Sequence, residues 1–246
     1  MKVTKKQWSR YQKKLSSICT ASANAMRTWI ISQGGFSAIE FEVAIAKAYE
    51  LATKYGEASA ALSALMYDAM AEASGANVAS AVVAETASLG EVSKAIYGAA
   101  TFSQNNDYIA NIVGRFVKQA GADTTLQNAK RDGAEFAWIA SGDTCAYCTI
   151  LSSIGWQVAS AKTIKGNHAE HIHSNCDCQF MIRFDSTSSV EGYEPDTSFY
   201  SSIEGNTIEQ KANALRRQNY AENKDEINEQ KRIAYAKRTS SDSEEQ

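Results

Sequence analysis

The sequence predicts a mainly α protein: an N-terminal helical region, then a small α+β subdomain braced by ligand-type side chains, then a C-terminal helix. Three observations predict it. One proline, Pro195, stands in 246 residues, so little in the chain breaks a helix. Alanine, the best helix former, is abundant, and apolar residues recur at three- and four-residue spacing over most of the first 135 positions. Four of the five cysteines and all three histidines crowd between Asp143 and Cys178, where short apolar runs replace the helical pattern.

Over residues 5 to 32, Trp8, Tyr11, Leu15, Ile18, Ser22 and Met26 mark one helical face, and Gly34-Gly35 ends it. Cys19, far from the other thiols, reads as a small buried hydrophobe. Ser37-Ala-Ile-Glu40 has the form of a capping box, so a second helix is expected to start there. Phe41, Ile45, Ala48, Ala52 and Tyr55, then Leu62, Leu65, Met66 and Met70, keep its face apolar to about Ser74, with a break or kink expected at Gly56. Shorter helices are expected over 77–88 and from Glu91 to Ala100. Asp107 is placed as the cap of a helix that bears Ile109, Ile112, Val113, Phe116, Val117 and Ala120 and stops at Gly121. Asp123 is placed as the cap of a further helix through Leu126, Ala129, Gly133, Phe136 and Ala137, with Lys130 and Arg131 on its solvated face.

Strands are expected through Trp156 and Val158 after a turn at Gly155, and from Cys178 to Phe184, where Phe180 and Ile182 share a face. From Asp185 to Asn206 the composition is that of a loop too polar to make core. Residues 207 to 238 read as a basic helix carrying Arg216, Arg217, Lys224, Lys231 and Arg232, with Tyr220, Ile227 and Ala234 spaced by seven, and an acidic tail follows. The organisation is therefore 1–135 helical, 136–185 ligand-braced, 186–206 linker and 207–246 C-terminal helix and tail.

Cys145-Ala-Tyr-Cys148 is a C-x-x-C turn that brings two thiolates to one ion, and His173, Cys176 and Cys178 offer further ligands from a second segment: a tetrahedral zinc pattern. Five candidates face four positions. Cys145 and Cys148 are the firm pair; His173 and Cys176 fall on one helical turn, Cys176 and Cys178 on one face of a strand, and spacing does not choose among the three. Disulfides or a redox C-x-x-C are the weaker readings. A redox motif wants a βαβ context that the flanks of Cys145 do not supply, and the basic, helix-compatible start is unlike a secretory signal, so reduced thiols are expected. The metal's expected role is a structural clamp on loops with little apolar surface.

A net charge of -3 gives no whole-chain case for nucleic-acid binding, and no apolar run approaches the roughly 18 residues of a membrane span. There is no Walker A lysine, no G-x-G-x-x-G and no G-x-S-x-G elbow. The alternative of another class is a zinc-braced HNH-like nuclease, suggested by His168-Ala-Glu-His171-Ile-His173 with Asn175 and Asp177 beside a cysteine pair. Such a core needs a later histidine on a following helix, and none follows His173, so His168 and His171 read as loop residues near the metal.

The run Leu126 to Cys148, Leu-Gln-Asn-Ala-Lys-Arg-Asp-Gly-Ala-Glu-Phe-Ala-Trp-Ile-Ala-Ser-Gly-Asp-Thr-Cys-Ala-Tyr-Cys, followed by Leu151, Gly155 and His173-Ser-Asn-Cys176-Asp-Cys178, resembles the Mu F-like minor head proteins of tailed bacteriophages. In character it is most similar to minor capsid proteins of phages of actinobacteria. The resemblance implies a low-copy structural protein of the virion, without catalytic activity, near the portal vertex inside the head and acting in head assembly or in DNA packaging and delivery. Implied partners are the portal or other head proteins. The basic C-terminal helix reads first as a solvated amphipathic face and, by its charge and interleaved tyrosines, as the best stretch for packaged DNA or an acidic portal surface; no membrane contact is expected. The implied location is the capsid interior or portal vertex, reached from the host cytoplasm. The His-rich insert before Cys176 departs from the family's pattern.

Overall fold

Three long helices carry the architecture, and each starts or stops where a side chain or a glycine satisfies orphan backbone groups. The computed structural model describes residues 2–102, 105–140, 144–165 and 178–233. Helix α1 (Lys5–Ser32) opens on a reciprocal capping box between Thr4 and Gln7 and stops just before Gly34 and Gly35, whose φ values are 89° and 100°. Helix α2 (Phe41–Ser74) ends on left-handed Gly75. Helix α3 (Leu89–Phe102) is entered through reciprocal hydrogen bonds of Ser88 and Glu91. Helix α4 (Asn106–Asp132) is opened by Asn105, whose side chain accepts from the Asp107 and Tyr108 N–H groups, and closed by left-handed Gly133.

Several expected punctuation marks have other uses. Ser37 lies in a single 3-10 turn (Phe36–Ala38), and Glu40 precedes α2 without a side-chain cap. The S-x-x-E spacing is there, but buried Phe36 fixes the local path and donates its N–H to Asn106 Oδ1 at 3.0 Å. Asp107 is a first-turn residue paired with Arg27, not the cap. Neither Gly56 nor Gly121 breaks its helix. A methyl at Gly121 would lie 2.6 Å from Ser59 Oγ and 2.8 Å from Ser63 Oγ, and one at Gly56 would lie 2.9 Å from Thr86 Cγ2. They let backbones approach where α2 meets α4 and the segment that follows α2.

That segment, 76–88, holds no helix. It is an extended strap tied down by side chains. Asn128 accepts from the Val82 N–H at 2.9 Å and donates to the Val82 carbonyl at 2.8 Å, Thr124 Oγ1 accepts from Ala84 N–H, and Asp68 accepts from Ala81 N–H. Arg131, expected on a solvated face, donates to the Ala79 and Ser80 carbonyls. Side-chain groups here replace the backbone partners that a helix would have given the strap.

Past Gly133 the expected helix through Phe136 gives way to a strand. β1 (Glu135–Ile139) leads to the short helix α5 (Ala146–Ser152), then β2 (Gln157–Val158), α6 (Ala161–Lys165) and β3 (Gln179–Arg183). The three strands form an antiparallel sheet in the order β2-β1-β3, with Phe136 opposite Gln157 and Trp138 opposite Phe180. Phe136 to Ile139 and Gln179 to Ile182 are all buried, so both faces of these strands are covered and Phe180 and Ile182 are not a lone core face. Trp138 and Phe180 have ring centroids 4.4 Å apart, in a core shared with Trp8, Tyr11, Leu15, Tyr67 and Leu126. A second core at the far end of the bundle gathers Met26, Ile30, Ile45, Leu51, Ile96, Ile109 and Val113.

The polar stretch after β3 does enter the core, contrary to its composition. Ser188, Ser189 and Val190 are each 1% exposed, and Val190 forms a parallel bridge with Val3, whose N–H donates to Ser189 and whose carbonyl accepts from Glu191. Backbone pairing with the N-terminus answers its polar groups. Helix α7 (Ser198–Ser202) and helix α8 (Ile208–Glu222) follow, with a further helical segment over 224–233. From 216 to 233 every residue is exposed except half-buried Ile227; Ala234 and the acidic tail lie outside the described residues. No described helix is long and apolar enough to cross a membrane.

Candidate metal centre

The cysteine turn sits at a corner of the sheet. Cys145 is the N-cap of α5, in extended conformation, and its Sγ accepts the Cys148 N–H at 3.5 Å. The sulfur therefore lies against the first turn of α5. The Cys145 carbonyl accepts both the N–H and the hydroxyl of Thr149, at 2.9 and 3.1 Å, which fixes the turn. Cys148, 1% exposed, faces the sheet core with Leu151. Cys178, 3% exposed, immediately precedes β3, and because Gln179 lies opposite Ile139 it falls beside the end of β1 from which the chain runs on to Cys145.

The fold thus brings together Cys145, Cys148 and Cys178, three soft donors from two distant segments. The remaining candidates, His173 and Cys176, lie outside the described residues, as do His168, His171, Asn175 and Asp177. Among the described residues no group of three or more His, Cys, Asp and Glu side chains forms a ready metal-binding set. The donor chemistry still suits zinc, which takes thiolates from a C-x-x-C turn readily; a fourth ligand would come from the second segment. No disulfide joins any two of Cys19, Cys145, Cys148 and Cys178. Cys19 is buried in α1, as its surroundings in sequence suggest.

The other face of α5 carries a contact that sequence reasoning missed. Ala146 and Ile150 pack on Ile203, Ala212, Ala214 and Leu215, so α8 rests on the helix that bears the cysteines. Tyr147 and Ile208 touch both this cluster and the sheet core. Burial pushes the Tyr147 phenol up, with the Glu209 carboxylate and Cys148 adding to the shift. Lys211, 7% exposed in a run read as basic surface, donates to the Tyr200 carbonyl at 2.8 Å and to that of Ile203, with its ammonium 4.6 Å from the Tyr200 ring centroid. The available signal was the spacing of Ile208, Ala212 and Leu215 on one helical face.

No curated protein and no solved structure matches the chain. A family model described as VG15 protein matches residues 2–202, a span that takes in the long helices, the sheet and the cysteine turn and stops before α8. On that match over most of its length, the chain belongs to the VG15 protein family.

Proposed function

We propose that the chain is a structural minor head protein of a tailed bacteriophage, of the Mu F-like kind, acting near the portal in head assembly or in DNA packaging and delivery. Its cysteine corner is a structural zinc site. The observation that supports this best is the meeting of Cys145 and Cys148 with Cys178, since these are the two separated halves of the sequence pattern that resembles those proteins. Cys145, Cys148 and Cys178, with one ligand from His173 or Cys176, would hold the ion. Bound zinc would supply folding free energy to a corner whose helices and strands are too short to hold one another, on the order of 10 kcal/mol in small zinc domains. The chain's own groups prepare the site: the first turn of α5 fixes the Cys145 sulfur through the Cys148 N–H, and the sheet core keeps Cys148 from water. The bundle and the basic C-terminal helix are the surfaces offered to portal, other head proteins and DNA.

The first test measures zinc, manganese and magnesium in the purified protein and, in parallel, nicking of plasmid DNA with the same metals. One zinc per chain and intact plasmid are expected. Metal-dependent nicking that His171→Ala or His173→Ala abolishes, with zinc retained, would turn the reading to the HNH-like nuclease. Co-expression with the portal and major capsid proteins of the same genome tests the head role: low-copy incorporation into portal-bearing shells is expected, and exclusion from all particles would overturn it.

A further inference from the structure

We infer that the C-terminal arm formed by α7 and α8 is latched through the cysteine turn, so that metal occupancy at Cys145, Cys148 and Cys178 sets whether the arm is docked. The inference rests on the zinc reading and deepens it by giving the site something to control. Helix α5 has seven residues, too few to persist as a helix unaided. Its two faces do different work. Cys148 and Leu151 join the sheet core, while Ala146 and Ile150 are the surface on which Ile203, Ala212, Ala214 and Leu215 sit. Tyr147 and Ile208 span both clusters, so movement of the turn is felt directly by the first turn of α8.

Released from its seat, the arm keeps only local ties, and a helix of 15 residues held by those alone frays. Lys211 ties α8 to the Tyr200 and Ile203 carbonyls within the arm itself, and Thr207 and Gln210 form a reciprocal capping box that closes the start of α8 without outside help. Its attachment to the rest is narrow: α8 buries only Lys211, Ala212, Ala214 and Leu215, and beyond Leu215 the helix stands in solvent. The family match ends at residue 202, so α8 lies beyond the matched span while its seat lies within it. A seat that forms with metal and dissolves without it makes presentation of the tail conditional. Linkage then requires reciprocity: whatever factor zinc adds to docking, docking adds to zinc affinity.

The test uses the full chain under reducing conditions, zinc-loaded and after removal of zinc by a chelator, with zinc content measured in each sample. Amide exchange is followed at 208–215, and trypsin cleavage after Lys211, which is buried while the arm is docked, is followed alongside. Removal of zinc is expected to speed both by about tenfold or more while α1, α2 and α4 keep their protection. Leu215→Asp, which lies outside the metal site, is expected to undock the arm in the loaded protein and to weaken zinc affinity by a similar factor. If zinc binds and leaves yet 208–215 exchanges at the same rate, or Leu215→Asp undocks the arm with zinc affinity unchanged, the latch is overturned and the zinc site stands. If the protein holds no zinc under any condition, the site reading fails and the latch with it.

Discussion

In the bundle, α1, α2 and α4 lie so close that a methyl on Gly121 would press on Ser59 and Ser63 and one on Gly114 would come 3.3 Å from the Cys19 carbonyl. At the sheet corner, by contrast, α5 has seven residues and β2 has two. The bundle gains stability through length and close approach, which need no outside group. The corner has little of either, and its order depends on a few large side chains. Small residues are the asset in the first region; large ones are the asset in the second, together with the zinc proposed above.

The sharpest way to break this contrast is Trp138→Ala. Trp138 is fully buried and lies tilted against Phe180 in a core that also holds Trp8, Tyr11 and Tyr67. A loss of about 3–5 kcal/mol is expected in urea unfolding, as one transition, because that core joins both regions. Two resolved transitions would show that the regions fold independently. Next in size is Gly121→Val, which puts volume where α2 and α4 meet; a loss of about 1–3 kcal/mol is expected, and the zinc content proposed above should be unchanged. Loss of zinc in that variant would deny the separation of the two regions. Asn128→Ala comes third, at about 1–2 kcal/mol, because water replaces part of what the side chain gave the strap. Amide exchange at Val82 should rise while the exchange of β1 stays as it was.

The same contrast explains what was legible in the sequence. Helix faces in the bundle follow the apolar spacing, and Gly34-Gly35 ends α1 because no tertiary partner is needed to explain a terminal glycine. Gly56 and Gly121 look identical to such stops. What makes them contacts is Thr86 on the strap, Ser59 and Ser63 on α2, all remote in sequence. β1 was hidden for a related reason: Glu-Phe-Ala-Trp-Ile continues a helical pattern, and only left-handed Gly133 together with pairing to β2 and β3 decides for a strand. The stretch at 185–206 looked like a linker because its burial comes from a bridge to Val3, at the other end of the chain. Near the cysteine turn, the pairing of Cys145 with Cys148 was readable from spacing, but the approach of Cys178 was not distinguishable there from that of His173 or Cys176, and the seat of α8 on α5 was hidden, since four apolar residues in a charged run leave a weak stripe.

The smallest effect concerns charge at the junction of bundle and sheet. Asp132, the last residue of α4, accepts from the Tyr67 hydroxyl at 2.7 Å and from Arg131 Nε and Nη2, each at 2.7 Å. The Arg131 hydrogen bond first, then that of Tyr67, holds the Asp132 carboxyl below the usual range, while burial and then the Asp132 contact push the Tyr67 phenol up. A carboxylate lowered in the folded state stabilises the fold above its unfolded pKa of about 4, and that contribution fades as pH falls through the folded value. Asp132→Asn keeps the shape and removes the charge. Stability measured against pH by urea unfolding should therefore fall less steeply below about pH 4 in the variant than in the parent. Some slope should remain, because hydrogen bonds from Thr187 and Ser198 also hold Asp185 and Asp196 low. An acid limb of unchanged slope would mean that the Tyr67–Asp132–Arg131 group positions the strap and the start of the sheet by geometry alone, without its charge contributing to the fold.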